Sequence, residues 1–435
     1  MVLALVAACT AANAQVKSIS AAEAAVQKAK ADVDNPKKNT KLATWLKYGH
    51  ALIDAYDAPA GNGFINASRQ ELQLISGNEK PTSVENVTLG GQSWEKEIYP
   101  TKNYYFNSTG NLQMIEITKP IYEDALDRAV EAYAKAAELD VKNSKTKDIV
   151  GALLSISGKY VEDAYTAYTL GNLEKASVLF EKAASTSGMA PASQLDTNSV
   201  YNAGFTAWLT GNMDRAEEFF TKCYKLGYYG EGGETFAKLA DIAEKKGTPE
   251  KGKEYLEEGF QKFPQSQSIL VGLINYYLTN NGSTDRLFEL LGEAKKNEPN
   301  NASLYYVEGN ICTQLGRVED AVAAYDQCAQ IDPSYAFGYI GKGQLFYNQA
   351  LKYSEEAQNE MDDAKYMALV EKFENSLKVC IEPFEKSLDL LKDDTTKAAV
   401  ADYLKNACFR FRTTDPVYQE KYDKYSAMAS SAQQQ

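Results

Sequence analysis

The chain has 435 residues, 46 basic and 59 acidic side chains, a net charge of −13 and one histidine. An acidic surface without a basic block gains nothing from counterion release, which argues against nucleic acid and anionic membrane as partners. With only His50 to draw on, His-rich metal sites and Ser-His-Asp or Cys-His nucleophile systems lack their central residue. No Gly-rich phosphate loop, acidic metal loop or paired-carboxylate constellation stands out, so no catalytic residue, metal site or cofactor is expected.

In chain order, residues 1–14 (MVLALVAACTAANA) are an apolar run ending in Ala12-Asn13-Ala14 before Gln15, the pattern of a secretory signal peptide. A rival reading takes Val6-Ala7-Ala8-Cys9 as a lipobox and Cys9 as a lipidated N-terminus. Either reading predicts export, to the periplasm or the outer membrane of a Gram-negative envelope. No later stretch reaches the roughly 18 apolar residues of a membrane span, so no membrane insertion is expected.

The Ala-rich run 20–34 ends before Pro36 and predicts a capping helix. Trp45, Gly49 and Leu52 then share one helical face. Ala129, Tyr133, Ala136 and Leu139 supply the matching face much later. Between them, 57–119 differs in texture. Gly61, Gly63, Gly90 and Gly91 punctuate short β-prone runs at Asn86–Leu89 and Tyr104–Phe106, and Gly110-Asn111 suits a hairpin turn. This segment reads as an insertion, a loop or small hairpin, within the region 15–140.

A period of 34 residues governs 141–335, with units at 157–190, 197–230, 233–266, 268–301 and 302–335. A glycine ends the first helix of each unit: Gly171, Gly211, Gly247, Gly282 and Gly316. Asn172, Asn212, Thr248 and Ser283 follow as N-cap types, while the last unit has Arg317. Three residues after each glycine stands an acid, Glu174, Asp214, Glu250, Asp285 or Glu319, facing the positive end of the second helix. In 302–335, Tyr305, Gly309, Ala321, Tyr325, Cys328 and Pro333 fall in order, with Tyr305 and Tyr325 expected to fill the space between the two helices.

That succession of aromatic, Gly, Ala, aromatic, small residue and Pro resembles the tetratricopeptide repeat (TPR). The resemblance implies an all-α solenoid of helix-turn-helix units, a right-handed superhelix, interrupted here by one small β or loop insertion. A sixth unit begins at Ala336. A charged run, Tyr353 to Lys365, interrupts it, and Cys380, Phe384, Ser387 and Leu390 resume the second-helix pattern. Residues 395–412 and 416–429 read as a C-terminal helical cap closing the 336–429 region, and 430–435 as a disordered tail. The five cysteines beyond Cys9 lack metal spacing and read as core filler, with a Cys312–Cys328 disulfide left open.

The resemblance further implies that the first helices line a concave face that binds protein or peptide. Tyr165, Tyr168, Tyr201, Phe205, Trp208, Tyr276, Tyr306, Asn310 and Tyr347, with Gln344, occupy its slots. Tyr and Trp anchor interfaces because they bury much area at low rotamer cost. The carboxylate clamp of Lys, Asn and Arg known in one branch of the family has no counterpart here. The expected function is therefore a non-enzymatic scaffold or adaptor with a protein or peptide partner. Two alternatives remain: a lipid-anchored subunit of an outer-membrane assembly or secretion complex, and an enzyme site within 57–119.

Overall fold

The computed structural model describes residues 16–76, 79–279 and 284–431; Cys9, Gly282, Ser283 and the 432–435 end of the expected tail lie outside them. Backbone contacts group the chain into two units, one ending at Glu231 and including 242–247, the other formed by 232–241 and everything from Thr248.

In the first unit, α1 (Ile19–Val33) opens behind an N-cap at Ser18, whose hydroxyl accepts from the Ala21 amide. Ala22, Val26, Ala29 and Val33 form its buried stripe, four residues at helical spacing. Next, α2 (Leu42–Asp57) brings Gly49 so near the Tyr133 ring that a Cβ there would sit 2.7 Å from it. Tyr133 belongs to a helix more than 80 positions further along, so close backbone approach joins the two halves of the split first repeat.

The insertion between those halves is more ordered than a loop or single hairpin. A short helix, α3 (Arg69–Ile75), precedes β1 (Ser83–Leu89), β2 (Gln92–Ile98), β3 (Lys102–Phe106) and β4 (Leu112–Ile117). The strands form an antiparallel meander in the order β1-β2-β3-β4. Sequence reading missed β2, because QSWEKEI sets three charged residues and an amide against only two apolar ones and has no alternation long enough to register. The sheet has its own small core of Ala67, Leu72, Tyr104, Phe106 and Leu112. Two hydroxyls tie it to the end of α2: Tyr104 donates to the Ala60 carbonyl at 2.5 Å and Thr101 to that of Pro59 at 2.9 Å.

Helix α4 (Ala125–Leu139) completes the split repeat, and Asp140 beyond it links to the next element. Its carboxylate accepts from the Ser144 and Lys145 amides, at 2.8 and 2.9 Å, ahead of α5 (Thr146–Thr169). Then come α6 (Leu173–Gly188), α7 (Thr197–Leu209) and α8 (Met213–Lys225). Gly171 and Gly211 take φ of +81° and +79° between the paired helices, a conformation that costs other L-residues about 1 kcal/mol or more. Asn172 and Asn212 then cap α6 and α8 through side chains that accept from the Lys175 and Arg215 amides. A second device recurs inside: Ser157 on α5 donates to the Ala183 carbonyl of α6, and Ser177 on α6 to that of Ala203 on α7, both at 2.8 Å.

The helix α9 (Glu234–Lys245) is shared, its last turn grouping with the first unit. The second unit continues with α10 (Pro249–Lys262), α11 (Gln267–Thr279), α12 (Thr284–Asn297), α13 (Ala302–Gln314) and α14 (Val318–Ile331). Thr248 and Arg317 precede α10 and α14 without a side-chain cap bond, so only two of the expected caps form among the described residues. In 302–335 the Tyr325 ring packs against Gly309 between the helices, in a buried cluster with Cys312 and Ala321. Tyr305 stays half-buried outside it, with the Lys295 ammonium 4.9 Å over its ring. Cys312 and Cys328 are buried free thiols, which removes the disulfide.

The charged run does not break the sixth repeat. It lengthens both of its helices, α15 (Ala336–Gln358) and α16 (Asp363–Leu390), into one hairpin that turns at 359–362. The cap is α17 (Asp394–Phe409) and α18 (Pro416–Ser431).

Candidate partner-binding face

Helix α7 carries a continuous aromatic surface. Asp196 starts it by accepting from the Asn198 and Ser199 amides. Val200, Ala203, Gly204 and Ala207 are its buried side; a Cβ on Gly204 would come within 3.0 Å of Phe219 on α8. Small residues thus let α7 sink between its neighbours, leaving Tyr201, Phe205 and Trp208 half-buried at i, i+4 and i+7. Tyr201 stacks on Phe205 with centroids 6.3 Å apart, and Phe205 on Trp208 at 6.2 Å. Tyr201 also meets Phe220 and Tyr228 edge-on, at 5.4 and 6.0 Å. At the other end the Lys245 ammonium lies 5.0 Å from the Trp208 ring.

Tyr165 on α5 is half-buried, edge-on to Phe180 at 5.2 Å, and its hydroxyl accepts from the Asn202 amide at 3.3 Å. Burial pushes its pKa up. Tyr168 packs half-buried against the same core.

The second unit treats its members differently. Tyr276 is buried, 8 % exposed, and donates to Glu250 at 2.6 Å. It is therefore a packing residue and not the surface anchor its slot predicts, because α10 covers that position. Burial first, then the bond to Glu250, pushes its hydroxyl up to about 12. Tyr306 is half-buried in a cluster with Tyr325, Tyr335 and Phe337, at 6.4, 6.0 and 6.2 Å. The side-chain oxygen of Asn310 accepts from the Tyr325 hydroxyl at 2.8 Å. Tyr347 is edge-on to Tyr403 of α17 at 5.0 Å, and Gln344 is half-buried on the same helix.

Tyr335 and Phe337 were invisible to slot counting because they lie at the inter-repeat turn. Phe337 is 46 % exposed. Tyr335 also borders an open cavity of about 610 Å³ with Gln265, Glu298 and Asn301. An aromatic immediately either side of the helix start at Ala336, just after Pro333, was the available signal.

Burial raises the thiols of Cys223 and Cys380 to about 12 and those of Cys328 and Cys408 to about 11, far from nucleophilic range. Among the described residues no group of three or more His, Cys, Asp or Glu is placed to hold a metal, and no helix is long and apolar enough to cross a membrane.

Two segments match known repeat families: residues 197–226 the family described as tetratricopeptide repeat, and residues 309–351 that described as TPR repeat. These are α7–α8 and the second half of α13 through most of α15, so the chain is a helical solenoid that contains tetratricopeptide repeats. No curated protein sequence matches it. Among solved structures it is similar to a tetratricopeptide repeat protein from Parabacteroides merdae, at 14 % identity over 62 % of this chain and 98 % of that one, TM-score 0.34. YrrB, described as a TPR protein with an unusual peptide-binding site, aligns at 19 % identity over 48 % and 96 %, TM-score 0.28. Yeast Tom70 aligns at 13 % over 93 % and 89 %, TM-score 0.33. Such repeats are a protein-interaction architecture, and the particular role of this chain follows from its own surface.

Proposed function

We propose that the chain is a non-enzymatic scaffold of the bacterial cell envelope that seats a protein or peptide segment on the face of α7. The observation that carries this reading is the ladder of Tyr201, Phe205 and Trp208, three large rings aligned on one side of a helix whose buried residues, Ala203, Gly204 and Ala207 among them, include no ring. Tyr165 and Tyr168 extend the surface on α5; Tyr306, Asn310 and Tyr347 are the corresponding positions further along. The rings are held by neighbouring aromatics before any partner arrives, so docking requires little ordering. Lys245 beside Trp208 adds a positive charge to an otherwise apolar strip. The envelope assignment rests on the residue pattern of 1–14 alone. Its anchored variant, a lipid-modified Cys9 within a larger assembly, is distinguished by the mass of the mature N-terminus.

The test is a photo-crosslinker placed at Phe205 in cells, with Trp208→Ala and Tyr201→Ala as variants. A defined adduct that weakens about 30-fold in either variant, at unchanged far-ultraviolet dichroism, is the expected result for anchor residues carrying about 2 kcal/mol each. An adduct indifferent to both variants overturns the assignment.

A further inference from the structure

The insertion presents a second and independent surface, the outer edge of β1. This strand ends the sheet, and it pairs with β2 over seven consecutive residues, Ser83 with Ile98 through Leu89 with Gln92, without a bulge. Leu89 and Gln92 close the two-residue Gly90-Gly91 turn and are therefore a hydrogen-bonded pair. Parity then directs the amides of Ser83, Glu85, Val87 and Leu89 to β2, and those of Val84, Asn86 and Thr88 outward. The alternation starts at Ser83: one residue earlier the Thr82 amide and hydroxyl both turn inward and donate to the Ile98 carbonyl, at 2.7 and 2.9 Å, so Thr82 adds no outward donor.

Exposed edges in folded proteins are blunted by charged side chains, above all lysine, by proline or by a bulge. The strand SVENVTL has no lysine, proline or bulge, and its single charge is Glu85. Val84, Asn86 and Thr88 are all exposed, Val84 at 53 %. On one face of this edge Glu85 makes no ion pair among the described residues. Lys96, opposite it on β2, instead holds its ammonium 5.8 Å over the Tyr105 ring. Two residues along on the same face, Val87 pairs with Trp94, both half-buried, the indole donating to the Leu89 carbonyl at 3.3 Å.

We infer that β1 takes up an extended segment of a partner protein as an additional strand, with a basic side chain beside Glu85 and an apolar one beside Val87 and Trp94. Only extended backbone matches three outward amides spaced two residues apart. The lone carboxylate selects a cation at one position, and the Val87–Trp94 pair an aliphatic or aromatic side chain two positions away on the same face. A second copy of this chain supplies no base there, since β1 contains no lysine or arginine to set against Glu85 in any register.

The probe is the peptide acetyl-TVTKTVT-amide, whose Val-Lys-Val face reads the same in either strand direction, mixed with the full chain. Hydrogen exchange of the Val84, Asn86 and Thr88 amides is expected to slow about tenfold or more, while Glu85 and Val87, already bonded to β2, do not change. Asn86→Pro removes the central outward donor without touching the β2 ladder and should abolish the effect; retained protection at Glu85 and Val87 shows that the sheet still folds. Glu85→Lys should transfer the preference to the same peptide with Glu in place of Lys. Three results overturn the inference: no slowing at millimolar peptide, equal slowing in Asn86→Pro, or slowing that rises with protein concentration without peptide, which would assign the edge to a second copy. Loss of the α7 crosslink leaves this result untouched, and the reverse holds.

Discussion

At the scale of single residues, one ring decides how closely α13 and α15 approach α14. A Cβ on Gly309 or on Gly341 would lie 2.5 Å from the same Tyr325 carbon, the first glycine on α13 and the second on α15. Gly309→Ala and Gly341→Ala are each expected to cost about 1–3 kcal/mol by overpacking, and less than the sum when combined, because one displacement of the ring relieves both. Urea midpoints of the two single variants and the double variant check this. Asp163 on α5 supplies a second residue-scale effect. Loss of water around its carboxylate raises its pKa, against the Tyr56 hydroxyl donated at 2.8 Å and the charges of Lys175 and Lys159. An acid whose folded pKa is raised binds its proton more tightly when folded. Its contribution to stability therefore grows as pH falls through the raised value and levels off below the ordinary 3.8. Asp163→Asn keeps an acceptor for Tyr56 and should be more stable than the parent at pH 7, the gap closing toward pH 4 in parallel denaturation curves.

At the scale of elements, the unit is a helix pair stopped by a left-handed glycine and restarted by a cap. Gly171, Gly211, Gly247 and Gly316 all adopt positive φ, between +71° and +81°. The caps differ among themselves. Asn172 and Asn212 accept from the amides three residues on, and Arg317 does not. Asn172→Ala and Asn212→Ala should each cost about 1 kcal/mol, and Arg317→Ala less than either, since its Asp320 pair is exposed. Thermal unfolding of the three variants would show the order. The sixth repeat obeys the same rules with longer arms. The charged stretch 353–365 is a good helix former, so it extends α15 and α16 instead of interrupting them, and Asp362 caps α16 by accepting from the Lys365 amide.

At the scale of the whole molecule, net charge is the property that acts at a distance. A surplus of 13 acidic groups gives the chain a net repulsion toward phosphate at long range. The full chain is expected to show no retention on immobilised duplex DNA even at about 50 mM salt, where charge-driven binding is strongest. Retention lost on adding salt would contradict that expectation.

The sequence by itself determined the repeat. Glycine at a left-handed position, small residues where backbones meet and aromatics at helical spacing are local requirements, and each leaves a mark at a fixed offset. For the same reason Gly110-Asn111 was legible as the turn between β3 and β4, and the split first repeat as Gly49 awaiting Tyr133. Tertiary structure alone decided which rings face outward and what the insertion becomes. Tyr201 and Tyr276 occupy first-helix slots, yet one joins a half-open ladder and the other is buried beneath α10, because exposure depends on the neighbouring helix and not on the residue's own. The four-stranded meander arose from strands whose stability comes from cross-strand partners and a shared core of Tyr104, Phe106 and Leu112. Pairing of that kind has no period to read along the chain.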